Sequence, residues 1–156
     1  LLDNIVTELA RRHGTPCFQP HLTLMGNIAR PPDHLADVMM RIADAAGPFT
    51  LPVADIVTGA AYFRSFYALF DVSRPLRALR TVTAEETGLP AGDFMPHVSL
   101  LYGPVEAPDK EASAQVVRQR LKGREIAFDR VVVTNSSDDT PIADWAVTHS
   151  RTLGTR

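Results

Sequence analysis

Residues 18–25 of the chain read FQPHLTLM, and residues 94–101 read FMPHVSLL. The two stretches share a Phe, a Pro, a His, a hydroxyl residue and a Leu in the same order, at an offset of 76 residues. Markers of helix ends recur at the same offset, an Asp twelve residues after each His and a Gly twenty-six residues after it. These markers are Asp33 and Gly47 in the first copy and Asp109 and Gly123 in the second. The repeat predicts two copies of one unit, each with a His-containing strand and a following helix.

Hydrophobic periodicity predicts four helices and several short strands around this repeat. The helices are expected over 1–13, 33–46, 74–87 and 109–121, and the strands over 17–28, 49–57, 66–72, 94–102, 125–133 and 142–148. The polar residues 135–141 are expected to form a mobile loop. Two copies of a helix, His-strand, helix, strand unit make an α+β domain of two lobes that face each other.

The domain organisation follows from the repeat. We expect one bilobal domain over residues 1–156, with repeat halves of about 1–58 and 66–134. The second half has a strand over 66–72 before its first helix, and the first half has nothing in that place. We therefore expect the complete gene product to carry a further strand just before Leu1.

Composition excludes several classes of protein. The 156 residues are 45% hydrophobic and 22% charged, which is typical of a folded globular domain. With 16 Lys and Arg against 18 Asp and Glu, no overall field attracts polyanions or anionic membranes. Cys17 is the single cysteine, so a disulfide framework and a Cys-rich zinc site are excluded, and a reducing, cytoplasmic location is expected. No membrane span or signal segment is predicted.

The two His motifs are candidates for phosphate chemistry. Side chains two residues apart lie on one face of a strand, so His21 with Thr23 and His97 with Ser99 each place an imidazole beside a hydroxyl. Two imidazoles can divide acid and base work around a phosphorus centre near neutral pH, and two hydroxyls can donate hydrogen bonds to its oxygens. This chemistry requires no metal or other cofactor.

The chain resembles a known family at these residues. The stretch 96–103, PHVSLLYG, is similar to the second motif of the cyclic nucleotide phosphodiesterase branch of the 2H phosphoesterases, known from plants and yeast. The aromatic segment 59–70 and the stretch 138–147, with Trp145, also resemble that branch. The resemblance implies two pseudo-symmetric lobes of antiparallel sheet with outer helices and a central cleft.

The same resemblance implies an activity and a set of site residues. It implies metal-independent hydrolysis of 2′,3′-cyclic nucleotides and of ADP-ribose 1″,2″-cyclic phosphate, with a small-molecule substrate and no cofactor. His21 and His97 would be catalytic, His97 activating water and His21 assisting the leaving oxygen to give a 2′-phosphate. Thr23 and Ser99 would bind the phosphate. Tyr102 would be a further phosphate contact, although strand parity alone points it away from the cleft.

Other interpretations stay open. An enzyme that acts on RNA ends, as a 2′,3′-cyclic phosphodiesterase or a 2′-5′ RNA ligase, would need a basic track for a polynucleotide, and neither motif has a Lys or Arg cluster around it. A non-catalytic nucleotide-binding module is the third interpretation, and a turnover assay separates it from the other two. Tyr62, Phe63, Phe66 and Tyr67 form an aromatic cluster that favours packing, with base stacking as the alternative.

Overall fold

The computed structural model describes residues 1–137 and 139–154, and within them the chain forms four α-helices, seven strands and two short 3-10 turns. The helices are α1 (Leu2–His13), α2 (Pro32–Asp44), α3 (Arg74–Thr87) and α4 (Ala107–Leu121). The strands are β1 (Phe49–Pro52), β2 (Asp55–Thr58), β3 (Phe66–Leu69), β4 (His97–Leu101), β5 (Glu125–Phe128), β6 (Arg130–Thr134) and β7 (Val147–Thr152). The 3-10 turns cover Tyr62–Arg64 and Ile142–Asp144.

The contacts divide the chain into two compact units, and each unit takes segments from both repeat halves. Unit 1 contains Leu1–Thr23, Pro52–Asp71 and Met95–Ile126. Unit 2 contains Leu24–Leu51, Val72–Phe94 and the chain from Ala127 onward. The predicted α+β class with antiparallel sheets is confirmed, whereas the repeat halves of about 1–58 and 66–134 stay a prediction.

Unit 1 is built on a three-stranded antiparallel sheet in the order β2-β3-β4. One face of this sheet is apolar and at most 1% exposed, formed by Ile56, Phe66, Ala68, Val98 and Leu100. Helix α1 packs against β4, and α4 packs against β2. The amphipathic pattern of α1 buries Ile5, Val6 and Leu9, and the helix ends at Gly14, whose φ of 65° lies in the left-handed region that favours glycine.

Unit 2 combines α2 and α3 with the antiparallel hairpin β6-β7. Its core contains Val38, Ile42, Leu79 and Leu153. The predicted ends of α3 are confirmed: Leu76 donates its backbone N–H to Ser73 Oγ, Pro75 lies in the first turn, and Gly88 follows the helix in the left-handed conformation. The strands β1 and β5 pair separately as a two-stranded sheet.

The strand predicted over 17–28 is wrong. Within this segment only Leu22 makes a β-bridge, to Val98. Pro20 lacks a backbone N–H to donate to a ladder, and Asn27 takes a positive φ of 54°, so the segment cannot continue as a regular strand. No other bridge of this segment occurs in the part of the chain that the structure describes, and a strand before Leu1 stays a prediction.

Three further expectations need correction. The runs 49–57 and 125–133 each break into two strands, because β1 pairs with β5 whereas β2 and β6 belong to other sheets. The strand expected over 142–148 begins as a 3-10 turn and becomes β7 only at Val147.

In the loop 135–141, the Asn135 side chain accepts a hydrogen bond from Ala146 N and donates one to Asp144 O, while Asp138 lies outside the described residues.

No helix among the described residues is both long and apolar enough to cross a membrane.

Candidate active site

The two His motifs lie side by side in unit 1. The bridge between Leu22 and Val98 is antiparallel, and its register places His21 opposite Ser99 and Thr23 opposite His97. Directly opposite residues share one face of an antiparallel pair, with Cβ atoms about 4.5–5.5 Å apart. The bridge therefore brings the backbone of each motif histidine next to that of the hydroxyl residue of the other motif.

Both imidazoles are anchored in the same way. His21 Nδ1 lies 2.8 Å from the carbonyl oxygen of Gln19, and His97 Nδ1 lies 2.9 Å from that of Met95. A carbonyl oxygen only accepts, so Nδ1 carries the proton and donates in both rings. In the neutral imidazole the lone pair then belongs to Nε2. The repeat thus preserves the tautomer as well as the residue type.

The exposure of the four motif residues fits a site open to a small ligand. Both imidazoles are half-buried and Thr23 is exposed, while Ser99 is 5% exposed. Val98, between the second pair, points to the opposite, apolar face and is 1% exposed. The alternation places polar groups on one face of the strand and core residues on the other.

Tyr102 joins the site through Ser99. The phenol forms a hydrogen bond with Ser99, and Ser99 Oγ also lies 3.3 Å from the carbonyl oxygen of Phe63, to which it donates. Burial raises the pKa of Tyr102, and the hydrogen bond with Ser99 opposes this rise, so the phenol stays protonated at neutral pH. The ring stacks on Phe18 with centroids 4.0 Å apart. Strand parity fails here because β4 ends at Leu101 and Gly103 turns the chain with a φ of 112°.

One member of the predicted aromatic cluster, Tyr67, lies beside the second His motif, a contact that the sequence did not predict. The Tyr67 ring packs edge-on against the His97 imidazole with centroids 5.2 Å apart, and Tyr67 lies opposite Ser99 in the ladder. Phe66 points to the core and is 0% exposed. Neighbouring residues of a strand point to opposite faces, so the strand predicted over 66–72 already separates these two aromatics, and the burial along β3 alternates accordingly.

The other aromatics of the cluster lie on the turn before β3. Tyr62 is 45% exposed, and its ring packs edge-on against Phe63. Phe63 in turn packs edge-on against Tyr102, with centroids 5.3 Å apart. The backbone N–H of Gly103 donates to the carbonyl oxygen of Tyr62 at 3.2 Å, so this turn is held to the end of β4.

No group of three or more His, Cys, Asp or Glu within the described residues is arranged to hold a metal ion.

Comparison with known proteins identifies the family. A model of the 2′-5′ RNA ligase superfamily matches residues 3–140. The structure is similar to crystal structures of E. coli LigT, one complexed with 3′-AMP (TM-score 0.57, 15% identity) and one in apo form (TM-score 0.58, 17% identity). Each alignment covers 99% of this chain and 91% of LigT, and it supports a common fold. No curated protein sequence matches significantly.

The family match extends over most of the 156 residues and includes both His motifs. The chain therefore belongs to the 2′-5′ RNA ligase superfamily, the 2H phosphoesterases, as its two His motifs predict.

Proposed function

We propose that the protein hydrolyses small cyclic phosphodiesters, namely 2′,3′-cyclic nucleotides, ADP-ribose 1″,2″-cyclic phosphate or both. The observation that carries the proposal is the antiparallel bridge that brings the two His motifs side by side, together with the same Nδ1 anchor on both imidazoles. Superfamily membership supports action on phosphodiesters.

The proposed reaction divides proton transfer between the two Nε2 atoms. His97 Nε2 takes a proton from water as the water oxygen bonds to phosphorus. Protonated His21 gives its Nε2 proton to the ribose oxygen as the bond from phosphorus to that oxygen breaks. From a 2′,3′-cyclic nucleotide the product is a 2′-phosphomonoester, and the two imidazoles are left with exchanged protonation states, which solvent restores. The assignment of water activation to His97 follows the family resemblance.

Thr23 and Ser99 have the proposed role of stabilising the phosphoryl oxygens. Charge on those oxygens grows in the transition state, and hydroxyl donors fixed at the site favour it without reorganisation. Ser99 donates at 3.3 Å to the carbonyl oxygen of Phe63, a long hydrogen bond that a charged phosphate oxygen can replace at low cost. The phenol of Tyr102 holds Ser99 Oγ in place and is itself a proposed phosphate contact.

The experiment is a turnover assay on pure protein with 2′,3′-cyclic mononucleotides and ADP-ribose 1″,2″-cyclic phosphate. Phosphorus NMR of the product distinguishes the 2′-phosphate from the 3′-phosphate. We expect hydrolysis that EDTA does not reduce, because imidazoles alone can carry both proton transfers. Binding of a nucleotide without turnover would favour a non-catalytic module, and full inhibition by EDTA would contradict the proposed mechanism.

Action on RNA ends is the second candidate, favoured by the family match and by one surface feature. In unit 1 a groove of about 590 Å³ lies between α1 and α4, and its lining includes Arg11 and Arg12 as well as Arg120, which is paired with Glu8. A phosphate backbone would find complementary charge at Arg11 and Arg12. The test compares an oligonucleotide that ends in a 2′,3′-cyclic phosphate with the cyclic mononucleotide. A lower kcat/KM for the oligonucleotide would support the small-substrate proposal. A strong preference for the oligonucleotide that high salt removes would favour RNA ends instead.

A further inference from the structure

A single side chain on α3 holds two distant parts of the chain. The guanidinium of Arg80 donates from one terminal nitrogen to the carbonyl oxygen of Leu24 and from the other to that of Ala91. The first nitrogen also lies 3.2 Å from the sulfur of Met25. The guanidinium carbon lies over the ring of Phe94, 5.2 Å from its centroid. All these contacts lie within unit 2.

The residues that Arg80 contacts flank the two His motifs. Leu24 directly follows Thr23, while Ala91 and Phe94 precede His97 by six and three residues. The chain leaves unit 1 after Thr23 and returns to it after Phe94. One guanidinium thus holds both of the connections through which the motif segments continue into unit 2.

The chemistry of this contact suits arginine alone. Both connections are irregular backbone, and Asn27 in the first has a positive φ. A planar guanidinium presents two terminal amino groups at a fixed angle, so it can bond two carbonyls at once and stack on an aromatic ring, whereas a lysine ammonium is a single point of charge. The Nε atom of Arg80 is buried without an acceptor among the described residues, so the hydrogen bonds of this side chain come from its two terminal nitrogens.

We propose that Arg80 is a positioning residue for the proposed reaction. By fixing Leu24 relative to Ala91 and Phe94, it sets the spacing of the two motif segments and thereby the placement of His21 and His97. The inference rests on the proposed function, because in-line displacement needs both Nε2 atoms correctly placed at once. A misplacement of about 1 Å can cost on the order of 100-fold in rate, so a modest shift of either connection lowers kcat.

The test compares Arg80→Ala and Arg80→Lys with Arg77→Ala, a control that removes an exposed arginine one turn earlier on the same helix. We expect both Arg80 variants to lose at least tenfold in kcat, because proton transfer during in-line displacement requires accurately placed histidines. We expect KM to change by no more than about threefold, because the hydroxyls of Thr23 and Ser99 can rotate to keep their contacts with a slightly shifted substrate. Arg77→Ala should match wild type. Added guanidinium ion should restore part of kcat to Arg80→Ala, and sodium chloride at equal ionic strength should not.

A second readout separates positioning from folding and from the proposed function. Nitrogen-15 NMR of the His21 and His97 rings, with circular dichroism at the same temperature, should show shifted ring signals in folded Arg80→Lys and unchanged signals in Arg77→Ala. Unshifted rings in a folded Arg80 variant, or wild-type kcat in Arg80→Lys, would overturn the proposal. If the wild-type protein turned over no cyclic phosphate, the proposed function would fail, while shifted rings in Arg80→Lys would still support positioning.

Discussion

At the scale of single residues, the catalytic proposal depends on two histidines with one shared anchor. Replacing either His21 or His97 by Ala should lower kcat/KM by about 100-fold or more, because a general acid or base contributes about 10²–10⁴-fold. His34→Ala is the control, since His34 is exposed, belongs to unit 2 and contacts Arg30 of the same unit. Steady-state hydrolysis of a 2′,3′-cyclic nucleotide measures the effect. A double variant that retains wild-type turnover would refute the two-histidine mechanism.

The hydroxyls of the two motifs should differ in what their removal does to stability. Thr23→Val and Ser99→Ala each remove a proposed donor to a phosphate oxygen, an interaction worth about 1.5–3 kcal/mol, so kcat/KM should fall roughly 10- to 100-fold and phosphate should bind more weakly. Ser99 is buried and bonded to Phe63 O and Tyr102, so only its variant should also unfold at lower denaturant. Thr7→Val, at an exposed position on α1, is the matched control. Unchanged phosphate affinity in both motif variants would place the anion elsewhere.

At the scale of elements, the turn before β3 depends on the absence of a side chain at Gly59. A Cβ there would lie 2.4 Å from the carbonyl oxygen of Arg64, so Gly59→Ala must displace the turn whose Phe63 carbonyl accepts from Ser99. We expect a loss of about 1–3 kcal/mol in the free energy of unfolding, together with a fall in kcat/KM. Gly47→Ala, where a Cβ meets nothing within 4 Å, should change neither. Urea titration tests this, and equal stability of the two variants would contradict it.

The elements also show which features a sequence determines locally. The bounds of α3 agree with the predicted range 74–87, because Ser73, Pro75 and Gly88 specify its ends through contacts within a few residues. The segment 17–28 was not predicted correctly, because its conformation depends on the bridge from Leu22 to Val98, a partner 76 residues away. The motif histidines were found through the repeat. The bridge between the two motifs, and the approach of Tyr67 and Tyr102 to the second motif, depend on strand register, which no local pattern encodes.

At the scale of the whole molecule, one histidine outside the site links pH to stability. His13, at the end of α1, places Nε2 2.9 Å from Ser113 Oγ on α4, joining two helices of unit 1. Burial lowers the pKa of His13, and the nearby Arg12 lowers it further, while Asp109 opposes the change. The folded protein therefore favours the neutral imidazole. Its contribution to stability is present above the ordinary His pKa of about 6.5 and is lost as the pH falls through the lower value of the folded state.

The prediction is a comparison of wild type with His13→Gln, whose side chain can bond to Ser113 but does not titrate. Between pH 7.5 and 5.5 the free energy of unfolding of wild type should fall more steeply than that of the variant. The carboxylates with lowered pKa values, such as Glu8 and Asp55, lose their contributions only at lower pH, and they are common to both proteins. Urea denaturation at several pH values measures both slopes. Parallel slopes would mean that His13 is not the group that destabilises the fold in mild acid.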